Sequence, residues 1–484
     1  MNYNLLDEPW IPVLASDGSV RRVGIRDALT QAGVIRQIAA SNPMDRVAIL
    51  RFLLAVLYWC RGNPPKSVEA TCGDSFPAEW FSKLEASKDC FNLLGDGKRF
   101  YQRFKSVEKL AADYLIHEVP TGTNKWHFHH ATDKVDGLCP ACCAMGLLRL
   151  PLFATSGGRG KPPGINSKPP FYVIPVGPSL AATLRLSWLH VTNLGTPTWE
   201  GPDVKSPKMG EVSLLMGLTW LPRSVWLDDP EESEARCISC GRRKRLIRRC
   251  AFAGIGSMKP DEGSPGLIWR DPHVIYVTTR KGDVMSLRAA NVLKNPARGA
   301  GQWAEVAAGV LNHQQATAAG ETTNYTRRAW VVGFATVQND KYLEALEGLI
   351  SFPNSIVGQQ IPDTVERIER WRKEGSALVR RTKPRSKKGV VRKHVEIRPL
   401  VAAVRPHVEH KVSAHAGELI AGAEESWQQA AREYGPMMRA VARSLSPGFT
   451  TEALQRRREI ARVLPDMSVK AKSDKKPGRK KGEA

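Results

Sequence analysis

Along residues 3–14, YNLLDEPWIPVL, apolar and aromatic side chains surround one acidic pair, and Asp17-Gly18 then sits between apolar stretches. Apolar runs flanking an Asp-Gly pair predict an N-terminal β-hairpin. From Gly24 to Cys60 the apolar spacing becomes helical, with Ala48, Leu50, Leu53, Leu54 and Leu57 on one broad face. That periodicity predicts helix packed into a core. Between 61 and 240, short strand-like runs alternate with breaker clusters such as Asn63-Pro64-Pro65 and Pro162-Pro163-Gly164, the pattern of a loop-rich mixed domain. Further strands are predicted at Val274–Thr279 and Ala329–Phe334. After Pro362 the pattern changes: Asp363-Thr364 can cap a helix running to Arg381, and helical periodicity returns at 397–422, 424–444 and 450–463. The expected fold class is α+β: a large loop-rich mixed α/β domain over 1–362, then a C-terminal four-helix bundle over 363–467. The basic tail over 468–484 has almost no apolar content and is expected to be disordered.

Composition narrows the class. At 484 residues the chain exceeds the roughly 250–300 at which one core stops growing, consistent with a large and a smaller domain. A hydrophobic content of 42% with 40 Gly and 33 Pro argues against a collagen-like or wholly disordered chain. The best apolar run, Phe52–Cys60, is bounded by Arg51 and Arg61 and falls short of the ~18 residues of a spanning helix, so a soluble protein without a membrane partner is expected. The opening MNYNLLDEPW has neither a basic segment nor an apolar one of the signal-peptide kind, so a cytoplasmic, reducing location is expected.

Charge points to a partner. Lys and Arg number 71 against 48 Asp and Glu, a formal net charge of +23. Such an excess is the usual companion of a polyanion, because each neutralised phosphate releases counterions. Three segments concentrate it: Arg242–Arg249, Arg380–Arg398 and the tail from Lys470. A single run is often only a solvated face, but the total is harder to explain that way.

Two cysteine pairs stand out, Cys139-Pro140-Ala141-Cys142 and Cys237-Ile238-Ser239-Cys240, the second followed by Gly241. Each places two thiols on a tight turn, and together they would complete a tetrahedral four-sulfur zinc site. Cys143 offers a competing ligand, and chance pairs or a redox dithiol are the other readings. A redox motif would use one pair and leave the other unexplained.

Signs of catalysis are sparse. In Trp126-His127-Phe128-His129-His130, an extended backbone would put His127 and His129 on one face, and with Asp133 they suggest a zinc-containing nucleic-acid-cleaving enzyme. The spacing does not match a His-x-His-x-Asp-His nuclease motif, and no later His/Asp cluster completes such a site. Phosphate-loop, nucleophile-elbow and His-Glu-x-x-His motifs are absent. Binding without catalysis is the expectation. A candidate for it is the loop Gly157-Gly158-Arg159-Gly160, whose glycines would let backbone approach a ligand while Arg159 and Lys161 suit phosphate or a narrow groove. A plain turn is the alternative. The nearby Asn124–His130 segment carries Asn, aromatic and His side chains of the kind that contact base edges and sugars.

Several segments together resemble one family, the CasA large subunit of the type I-E CRISPR effector complex Cascade. They are NLLDEPWIPV at 4–13, TGTN with Phe128 and His130 at 121–130, GGRGKPPGINSKPP at 157–170, PTWE at 197–200, GLTWLPR at 217–223, the Cys237 knuckle and WRDPH at 269–273. The resemblance implies a non-enzymatic subunit that recognises the protospacer-adjacent motif in duplex DNA, begins strand separation and recruits a helicase-nuclease. Its implied partners are the 5′ end of the guide RNA, target duplex, the other Cascade subunits and that helicase-nuclease. By resemblance, Asn124, Phe128, His129 and His130 lie near the guide-RNA end, and Gly157, Gly158, Arg159 and Gly160 enter the minor groove of the motif. Lys259 is similar to a lysine reaching the same groove, and Pro353-Asn354 falls where the family has a wedge hairpin. Some members bind zinc at the cysteines. An RNA-binding scaffold with no DNA role is a further alternative.

Overall fold

The computed structural model describes residues 2–64, 75–103, 109–116, 137–153, 164–166, 169–201, 208–264, 266–274, 276–278, 284–286, 328–337 and 341–351. They fall within Met1–Asn291 and Gly309–Leu349, one of two units into which the chain divides, apart from the last two positions of the final strand. In chain order the first elements are β1 (Tyr3–Asn4), β2 (Ile11–Ala15), β3 (Val20–Val23), α1 (Ile25–Thr30), β4 (Ile35–Ile38) and α2 (Pro43–Arg61). Next come α3 (Ser82–Ala86), β5 (Asn92–Leu94), β6 (Lys109–Ala111), α4 (Pro140–Phe153), β7 (Tyr172–Pro175), α5 (Leu180–Ser187) and α6 (Leu214–Thr219). The remaining strands are β8 (Arg223–Leu227), β9 (Glu234–Arg236), β10 (Arg243–Arg245), β11 (Arg249–Gly254), β12 (Tyr276–Thr278), β13 (Val284–Ser286), β14 (Arg328–Val337) and β15 (Lys341–Ser351). These strands form small sheets in the orders β3-β2-β4, β1-β5, β6-β11-β8, β9-β10, β12-β13 and β7-β14-β15. The architecture is mixed α/β. The four-helix bundle expected over 363–467 and the tail over 468–484 lie outside the described residues.

The N-terminal hairpin forms as expected between β2 and β3 around Asp17-Gly18, with Ile11 opposite Val23. The continuous helical reading of 24–60 is corrected: β4 interrupts it and adds to the hairpin, with Val13 opposite Ile38. Ile35 and Ile38 are buried while Arg36 and Gln37 are exposed, so this short segment satisfies its backbone against β2 rather than in a helix of its own. Helix α2 starts where Asn42 accepts a hydrogen bond from the Met44 amide at 2.8 Å and Pro43 opens the first turn. Its Ala48, Leu50, Leu53, Leu54 and Leu57 are buried as predicted, and so are Phe52, Tyr58 and Trp59, because α4 and α6 also pack against it.

The family-like segments interlock through the core. Trp10 is fully buried and its indole donates to the Leu5 carbonyl at 2.9 Å. Thr198 and Thr219 join PTWE to GLTWLPR by two hydrogen bonds of 2.9 and 2.6 Å. Gly217 then faces Trp269, where an added Cβ would lie only 2.0 Å from the indole ring. Asp271 of the same WRDPH segment accepts from both terminal nitrogens of Arg51, at 2.6 and 2.9 Å, in the middle of α2. Asn166 adds a third hydrogen bond to that carboxylate at 3.0 Å. These segments are therefore, in large part, a packing code.

Candidate metal centre

Two chain segments distant in sequence are fastened together by backbone. The Leu138 amide donates to the Ile247 carbonyl at 3.0 Å and the Ile247 amide returns a bond of 2.8 Å. The Ile238 amide reaches the Gly137 carbonyl at 3.3 Å. This splice brings Cys139 beside Cys237, whose sulfur accepts from the Cys139 amide at 3.3 Å. The second pair forms the expected turn: β9 and β10 pair antiparallel with Arg236 opposite Arg243, and the Gly241 amide donates to the Cys237 carbonyl at 2.8 Å. Gly241 has φ +71°, a left-handed conformation that glycine adopts without the Cβ penalty. The first pair differs from expectation. Cys139 directly precedes α4 and Cys142 lies in its first turn, so this half of the clamp is a helix start instead of a knuckle, a conformation Pro140 suits by its fixed φ and missing amide hydrogen.

The four sulfurs of Cys139, Cys142, Cys237 and Cys240 all lie within 4.8 Å of one another. A tetrahedral ion with bonds of about 2.3 Å requires sulfur separations of about 3.8 Å, and Cys139 Sγ to Cys240 Sγ is 3.8 Å. Three of the four cysteines are buried, and among the described residues no carboxylate or imidazole joins the group. The donor set and spacing therefore fit a soft, tetrahedral metal. Cys143 is not part of the cluster, since its thiol turns toward the Leu138 carbonyl, and burial pushes its pKa up. Hydrogen bonding from Cys139 lowers the Cys237 thiol to about 6 and depresses that of Cys240 as well, whereas the bond with Cys139 pushes Cys142 up. Protons are thus shared unequally around the group.

Sequence reasoning missed Arg22. Half-buried on β3, it lies near enough to the cluster for Cys142, Cys240 and Cys139 to favour its charged form against the cost of burial. Its only sequence signal is being a cation in the hairpin beside the apolar Val23, which says nothing of a partner more than two hundred positions away.

Among the expected nucleic-acid residues, Lys259 is described. It is exposed, with its carbonyl taking the Met209 amide at 2.8 Å beside Lys208. Asn124, Phe128, His129, His130, Gly157, Gly158, Arg159, Gly160, Pro353 and Asn354 lie outside the described residues, as do His127 and Asp133. No described helix is long and apolar enough to cross a membrane.

The family described as CRISPR-associated protein Cse1 matches residues 4–464. The curated CRISPR-associated protein CasA/Cse1 of Thermus thermophilus is 31% identical over 310 residues, which are 59% of this chain and 57% of that relative. The match thus spans little more than half the length of that curated relative. The solved structure of Thermus thermophilus CasA (Cse1) superposes with a TM-score of 0.67 at 22% identity, covering 96% of this chain and 100% of that one. A chain of a CRISPR RNA-guided surveillance complex gives 0.64 at 16% identity, over 96% and 98%. At these identities the superpositions carry the fold.

Proposed function

The chain belongs to the CRISPR-associated Cse1 (CasA) family, and from that premise we propose that it is the non-catalytic large subunit of a type I-E CRISPR surveillance complex. The observation that carries this is the family match over residues 4–464. In this reading the subunit binds near the 5′ end of the guide RNA through Asn124, Phe128, His129 and His130. It meets the protospacer-adjacent motif through Gly157, Gly158, Arg159, Gly160 and Lys259, and opens the neighbouring base pairs with a wedge at Pro353-Asn354. Recruitment of a helicase-nuclease follows. A net charge of +23 supports a polyanionic partner, and the exposed Lys259 is available to one.

The cysteine cluster belongs to the same reading as a structural centre. Cys139, Cys142, Cys237 and Cys240 hold one zinc ion, which supplies cross-linking energy and no reaction, because four sulfurs leave no position for water. Four thiolates exceed the charge of the ion, and Arg22 offsets part of that excess as an outer-shell partner.

The test assembles the chain with guide RNA and the companion subunits and measures binding of motif-bearing and motif-scrambled duplexes. Preference for the motif is expected, and equal binding would overturn the reading. Two variants separate its steps. Gly160→Asp adds a charged side chain where backbone must lie in the groove and should weaken even the first encounter. Asn354→Ala should spare that encounter and slow strand opening, so a duplex already opened by a bubble beside the motif should rescue it but not Gly160→Asp. Rescue of both or of neither would displace the wedge from Asn354.

A further inference from the structure

The β9–β10 hairpin above the cysteine cluster carries more charge than its fold requires. Arg242, Arg243, Lys244, Arg245 and Arg249 are exposed, as is Arg236 on the opposite strand. Of the acidic residues just before the hairpin, Asp228 holds Lys109 at 2.9 Å, Asp229 holds Arg99 at 3.2 Å and Glu231 holds Arg248 at 2.5 Å, while Glu232 is exposed. Within the hairpin, Glu234 stands opposite Arg245, but Arg236 stands directly opposite Arg243. Side chains directly opposite one another share a face of the ribbon, where like charges destabilise the pair. An anion lying along that face removes the repulsion.

We infer that this hairpin is a sequence-independent docking surface for the phosphate backbone of duplex DNA. The inference rests on the nucleic-acid role proposed above and adds a site distinct from the motif-reading loops. Two observations select the ligand. The cations are arginine and lysine on a short ribbon fixed at its base by the Leu138–Ile247 splice and the four cysteines, so the patch is presented on a rigid support. Residues 234–249, EARCISCGRRKRLIRR, contain no aromatic residue. Single strands are held largely by base stacking on aromatic rings, whereas duplex backbone needs only charge.

Arg243→Glu tests this in the full chain. Arg243→Glu gives up a 3.4 Å bond to the Glu234 carbonyl but replaces a repulsive cross-strand pair with an attractive one opposite Arg236, so the unfolding midpoint should hold, and lost binding cannot then be assigned to lost fold. Affinity for a mixed-sequence duplex should fall, and the slope of log affinity against log salt should become shallower by about 0.9 if Arg243 contacts one phosphate. Arg243→Lys should bind like the parent. The ratio of motif-bearing to scrambled affinity in the assembled complex should not change. An unchanged slope and affinity would overturn the inference while leaving the motif-sensing role intact, as would a loss confined to single-stranded RNA. A parent chain that binds no duplex would overturn both.

Discussion

Arg51 and Asp271 set the hardest condition on the described core, with side chains 1% and 0% exposed. Two desolvated charges persist because the carboxylate is fully used: it takes both Arg51 nitrogens, Asn166, and the His273 amide at 3.0 Å. Burial alone would raise the Asp271 carboxyl, but the Arg51 guanidinium holds it below its ordinary value. A carboxyl depressed in the folded state adds stability above its unfolded pKa, and that stability disappears as pH falls through the folded one. Asp271→Asn should therefore cost about 3–5 kcal/mol at neutral pH by stranding the Arg51 charge. It should also flatten the loss of stability on acidification below about pH 4. Denaturant titrations at neutral and acid pH read both effects. The cysteine cluster makes a separate prediction. Anaerobically prepared protein should contain about one zinc per chain. Cys240→Ser should lose most of it and several kcal/mol of stability, as elemental analysis and thermal unfolding would show.

Elements in this protein are held by partners more than by their own propensity. Helix α2 has a good cap and a proline start, yet what keeps it in place is burial on nearly every side and the Arg51 anchor at its centre. Helix α6 is only six residues long and lies where Gly217 lets the Trp269 ring come against its backbone. A methyl group at that position would meet three ring atoms within 2.5 Å. Gly217→Ala should therefore lower stability by at least the 1–3 kcal/mol typical of overpacking, despite alanine's higher helix propensity. Thermal unfolding checks the sign, and a stabilised variant would show that Trp269 can leave its place at little cost.

For the whole molecule the governing quantity is net charge. At +23 the chain should bind duplex DNA with a steep salt dependence, each phosphate contact adding about 0.9 to the slope. Deletion after Ser468 removes a lysine-rich, apolar-poor segment that has no means of reading bases. Non-specific affinity should fall and the slope should become shallower, while the ratio between motif-bearing and scrambled duplexes stays fixed. Competition binding at several salt concentrations measures all three, and a changed ratio would give the tail a part in recognition.

The sequence alone determined the features that depend on local order. The Asp17-Gly18 hairpin, the Ala48–Leu57 helical face and the strand over Ala329–Phe334 were legible because each is written in adjacent residues as a turn or a period. The cysteine cluster was legible for a related reason: two Cys-x-x-Cys pairs restrict the geometry even before their separation in space is known. Motif order made the family recognisable. Tertiary structure alone decided that β4 is a strand, because its backbone partner is β2 and its own spacing is ambiguous. It also decided that Cys139 and Cys142 begin a helix, that Cys143 turns away, that Arg22 faces the sulfurs and that Arg51 meets Asp271. An arginine in an apolar run has no visible partner in one dimension. Charge pairing and desolvation act over distances of a few ångströms, and only folding brings residues 51 and 271 that close.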